Sequence, residues 1–68
     1  MRSSEKFQMF IHDALTAAQK FKKDEGFLDE AHLADIIDQC DDRKLLFVDY
    51  KMAVEYIKVI LKYRKVLA

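Results

Sequence analysis

The sequence predicts an all-α fold, a compact three-helix bundle, and three observations carry that expectation. The 68 residues contain no proline and a single glycine, Gly26, so the chain has one strong breaker and otherwise favours helix. Just over half the residues (51%) are hydrophobic, and they recur at three- and four-residue spacing with none of the turn-punctuated alternation of strands. Residues suited to capping helices precede each periodic stretch. A chain of this length holds one domain, 1–68, with a small core and marginal stability unless something reinforces it.

The first helix is expected over about 4–23. At 100° per residue, Phe7, Phe10, Ile11, Ala14, Ala17, Ala18 and Phe21 share one face with Leu15 at its edge. Gln8, His12, Asp13, Thr16, Gln19, Lys20 and Lys23 share the other. Ser3 or Ser4 caps its start, Lys20, Lys22 and Lys23 complement its dipole, and Gly26 supplies the left-handed turn that ends it.

The second helix is expected over about 29–40, with Asp29 as N-cap. Leu28 and Leu33 stand at the spacing of a hydrophobic staple. Leu33, Ile36, Ile37 and Cys40 form its inward stripe, opposite Asp35, Asp38 and Asp42.

The third and longest helix is expected over about 42–66, starting near Asp41 or Asp42. A break near Val48/Asp49 is the alternative, with Asp49 capping a fresh helix after a turn around Leu45–Val48. Leu46, Tyr50, Ala53, Val54, Ile57, Ile60 and Leu61 make one apolar face, and Lys51, Glu55, Lys58, Lys62 and Lys65 a narrow polar one. Between them runs a second apolar stripe of Leu45, Met52, Tyr56, Val59, Tyr63 and Val66. From Met52 onward its spacings alternate four and three, as along a coiled-coil seam.

Two arrangements account for that second stripe. If helix three is central, each stripe packs against one of the other helices. If it is not, the stripe meets another chain, and in a homodimer it lends a small scaffold the extra core it lacks. Met52, Tyr56 and Tyr63 are residue types enriched at interfaces, and a contiguous apolar stripe on a lone monomer is a solubility liability. The second arrangement is the expectation: a small interaction or regulatory protein that binds a protein partner, a second copy first of all, with Lys58 and Lys62 on the rim.

Charge is zero in total but sorted along the chain. Residues 1–23 carry five basic and two acidic groups, 24–42 eight acidic and none basic, and 50–68 five basic and one acidic. Two alternative functions follow. Lys51, Lys58, Lys62, Arg64 and Lys65, beside Tyr56 and Tyr63, offer a surface for nucleic acid, which the neutral total charge disfavours. Asp35, Asp38 and Asp42 offer an acidic face for a basic partner, or a decoy that blocks a nucleic-acid-processing protein. Helix dipoles and solvation account for much of both charge runs.

No motif for catalysis or for a cofactor is found, and the expectation is a non-enzyme without cofactor or metal. His32 and Asp35, at i, i+3, are within reach of an ion pair or of a shared metal, and a surface pair is the plainer reading. No Cys-x-x-Cys or His-x-x-x-His spacing suggests zinc. A calcium loop with Gly26 as its sixth residue would begin on Phe21, which is no ligand. Phosphate loops and nucleophile elbows need glycines the chain lacks. His12 belongs with the polar side of helix one. Cys40 cannot form an internal disulfide and reads as a small core hydrophobe, which fits a reducing, cytoplasmic setting. The longest apolar run, Leu45-Leu46-Phe47-Val48, is far short of a membrane span, and no signal-type run follows Met1.

Overall fold

The computed structural model describes residues 3–41 and 46–67, with side chains from Glu5 onward. The described chain folds as three helices, α1 (Ser3–Glu25), α2 (Glu30–Cys40) and α3 (Phe47–Tyr63). It contains no strand among the described residues.

Helix α1 is the element that packs closely against both others, whereas α2 and α3 approach each other less closely. The arrangement with helix three at the centre is therefore not the one adopted. The reason lies in side-chain size. Ala14 and Ala18 are fully buried one turn apart, and their small side chains let neighbouring helices come close to α1. Phe10 and Ile11 fill the same face, and the Phe10 ring stacks on Tyr50 of α3 with centroids 5.8 Å apart. Leu28, Leu33 and Ile37 enter the core from the α2 side, and Ala53, Ile57 and Leu61 enter it from α3.

α2 keeps its predicted start and stop and α1 its stop at Gly26, whereas Ser3 and Ser4, expected to cap α1, lie within the helix. α1 runs two residues past the expected end, to Glu25. Gly26, at φ +86°, then reverses the chain and donates its N–H to the Lys22 carbonyl at 2.8 Å. Asp29 caps α2, its carboxylate accepting the His32 N–H at 2.8 Å, and Leu28 and Leu33 are both buried as a staple requires.

The third helix departs from expectation at both ends. It starts at Phe47 after Leu46, which is extended (φ −60°, ψ 150°) and offers no side-chain cap. The continuous helix from residue 42 is thus replaced by a fresh start, one turn earlier than Asp49 would have set it; residues 42–45 lie outside the described residues. Leu46 is 73% exposed and leaves the apolar face to which its spacing assigned it, because it stands outside the helix and its register. Asp49 instead occupies the first turn, where its charge favours the helix dipole.

At the other end the helix stops at Tyr63 and does not reach Val66. Arg64 is the C-cap, Lys65 takes a positive φ of 61°, and the Val66 and Leu67 N–H groups donate back to the Leu61 carbonyl. The reversal has an apolar motive. It buries Leu67 and half-buries Val66 against the core, whereas a continued helix would carry Val66 to the side of α3 opposite Ala53, Ile57 and Leu61.

Candidate protein-docking face on the third helix

On α3 the buried residues Ala53, Ile57 and Leu61 repeat every four positions and define the side facing α1. A helix advances 100° per residue, so Met52, Tyr56, Val59 and Tyr63 fall together about a third of a turn away. They are exposed by 58%, 54%, 63% and 87%. Val48, one turn before Met52, extends the apolar surface toward the start of the helix and is also exposed. Met52, Tyr56 and Val59 with Lys51 and Glu55 frame a shallow, mostly apolar hollow.

Four of the six residues expected at an interface thus form one continuous face. Val66 does not belong to it, because the turn at Lys65 carries it back against the core. Leu45 lies outside the described residues. Sequence spacing also missed two neighbours. Val48 stands at i−4 from Met52, a spacing that would have found it. Phe47 is exposed beside it and holds the Lys51 ammonium 5.5 Å from its ring centroid.

Tyr56 links this face to a groove of about 460 Å³ between α1 and α3. Phe7, Ile11, Leu15 and Ile60 supply apolar walls, with Gln8, His12 and Arg64 as the polar part of the lining. His12 is thus placed on the solvent side of α1, as its spacing predicts, and near the α3 groove.

The basic residues do not gather into one site. Lys58 Nζ lies 3.5 Å from Glu30 Oε1 of α2, and Lys62 Nζ lies 4.0 Å from Glu30 Oε2. Lys51 leans on Phe47, Arg64 edges the groove, and Lys65 is exposed in the turn after the helix. On α2, Asp35 and Asp38 are exposed, and Asp42 lies outside the described residues. Asp38 and Asp41 help to raise the Tyr50 hydroxyl above its ordinary pKa, although burial of that ring is the larger cause.

His32 pairs with a different partner from the one its spacing suggested. Its ring Nδ1 lies 2.6 Å from Asp29 Oδ1, and Asp35 stays in solvent. The N-cap explains the choice, since the cap already holds the Asp29 carboxylate over the first turn beside His32. Phe21 and Phe27 flank the imidazole at 5.1 and 5.3 Å between centroids, which makes a small aromatic cluster at the α1–α2 junction. Among the described residues no group of three His, Cys, Asp or Glu side chains is placed to hold a metal. Cys40 is half-buried against the core, and no described helix is long and apolar enough to cross a membrane.

Comparison of the chain with protein-family models, with curated proteins and with solved structures returns no match.

Proposed function

We propose that this chain is a non-enzymatic helical interaction protein that self-associates through the exposed face of α3. The observation that carries the reading is the exposure of Met52, Tyr56, Val59 and Tyr63 in one unbroken row beside a fully buried one. Large apolar side chains in a contiguous row are unfavourable in water, and covering them stabilises at roughly 25 cal/mol per Å². A chain of 68 residues has a small core, so a second copy provides the reinforcement that disulfides cannot. The basic residues support a nucleic-acid reading less well, because Glu30 sits against Lys58 and Lys62 and offsets their field.

Sedimentation equilibrium across a wide concentration range tests this. The expected result is a mass that rises from 8.0 kDa toward twice that value. Replacing Tyr56 and Val59 together by Glu should hold the protein at the monomer mass with its helical circular dichroism intact. A wild-type chain that stays monomeric at every concentration ends the proposal.

A further inference from the structure

We infer that the two copies meet with their α3 helices antiparallel, in a register set by Glu55 and Lys62. The inference rests on the self-association proposed above and adds the geometry of the partner. The apolar row Met52, Tyr56, Val59, Tyr63 is nearly symmetric about its middle, between Tyr56 and Val59. A two-fold axis there, perpendicular to the helices and lying in the interface, places Met52 opposite Tyr63 and Tyr56 opposite Val59 of the second copy.

Charge then selects the direction. Helical geometry puts Glu55 and Lys62 on the same edge of the row, seven residues apart. In an antiparallel pair like edges face each other with direction reversed, so Glu55 of each copy meets Lys62 of the other, twice per dimer. In a parallel pair unlike edges meet, and Glu55 faces the apolar Ile60 while Lys62 runs past the helix end at Tyr63. Only the antiparallel arrangement pairs the charges along the edge of the row.

These groups are available. Glu55 is exposed and, among the described residues, has no ion-pair partner within its own chain. Lys62 is 57% exposed, and its approach to Glu30 is a long one at 4.0 Å, the nearer contact to Glu30 being made by Lys58.

The test is a charge exchange read by dimer dissociation at low salt. Glu55→Lys and Lys62→Glu, taken singly, each replace two attractive pairs by two repulsive ones. Each should weaken the dimer about tenfold, and high salt should shrink the difference. The double variant Glu55→Lys/Lys62→Glu should recover most of the wild-type affinity. Lys62→Glu also sets a second carboxylate near Glu30, so Glu55→Lys decides the matter alone if the other variant loses helicity. A wild-type chain that never dimerises overturns both the arrangement and the self-association beneath it. A dimer indifferent to Glu55→Lys, or a double variant no tighter than the singles, overturns the antiparallel arrangement and leaves self-association standing.

Discussion

The imidazole Nδ1 of His32 and its own backbone N–H converge on one oxygen of Asp29, at 2.6 and 2.8 Å. One carboxylate thereby caps α2 and orients the ring that packs between Phe21 and Phe27. The cap and the aromatic cluster at the α1–α2 junction are a single unit, since losing the carboxylate releases both the helix start and the histidine.

Those hydrogen bonds, the backbone one first, hold the Asp29 carboxyl below its ordinary pKa of 3.8. A depressed folded-state pKa means that the charged cap stabilises the fold fully above the ordinary value. That contribution fades as pH falls through the lower, folded value. Asp29→Asn keeps a good N-cap but has nothing to titrate. Thermal melts from neutral pH down to about pH 2 should therefore show wild type losing more stability than Asp29→Asn below the ordinary value. Parallel curves would mean that the carboxylate charge does not contribute.

Gly26 marks the other side of the same junction. Its φ of +86° is costly for any residue with a Cβ, yet a Cβ there would meet no atom within 4 Å. The penalty for substitution is thus one of backbone conformation and not of crowding. Gly26→Ala should destabilise by about 1 kcal/mol in urea unfolding, and Gly26→Asn by less, because Asn tolerates positive φ. Equal losses for the two would point to a contact the geometry does not contain.

Ile57 and Val59, two residues apart on α3, separate packing from docking. Ile57 is fully buried and Val59 is 63% exposed. Ile57→Ala leaves a cavity and should cost about 2–5 kcal/mol, enough to unfold much of so small a domain. Val59→Ala should change monomer stability by no more than about 0.5 kcal/mol. Chemical denaturation in dilute solution checks both, and a large loss from Val59→Ala would place that side chain in the monomer core.

These contrasts also show what the sequence made legible. The faces of α1 and α2, the stop at Gly26 and the cap at Asp29 follow from local rules, because each depends on a few consecutive residues. Periodicity also grouped Met52, Tyr56, Val59 and Tyr63 correctly. Periodicity does not decide whether another helix packs on them, since a helical projection says which residues share a face and nothing about which helix lies at the centre. That role fell to α1 through Ala14 and Ala18, a pair that spacing alone reads simply as apolar. His32 had an acidic residue three positions away on either side, and only the cap geometry at Asp29 distinguishes them. The end of α3 was hidden for a different reason. Its reversal is made at a lysine, a residue that carries no turn signal, and it brings both Leu67 and Val66 against the core.

That lysine yields the last prediction. Lys65 adopts φ 61°, a left-handed conformation that costs a residue with a Cβ roughly 1 kcal/mol or more relative to glycine. The turn forms regardless because it joins the Val66 and Leu67 N–H groups to the Leu61 carbonyl and returns Leu67 to the core. Relieving the strain while keeping the turn should stabilise the fold. Glycine also loses more conformational freedom on folding, which offsets part of the gain. Lys65→Gly should accordingly raise stability by about 0.5 kcal/mol, and Lys65→Val, β-branched and poorly suited to positive φ, should lower it. Urea unfolding of the two variants beside wild type decides the sign. If glycine destabilises and valine is neutral, α3 continues past Tyr63 in solution, and the burial of Leu67 is not what ends it.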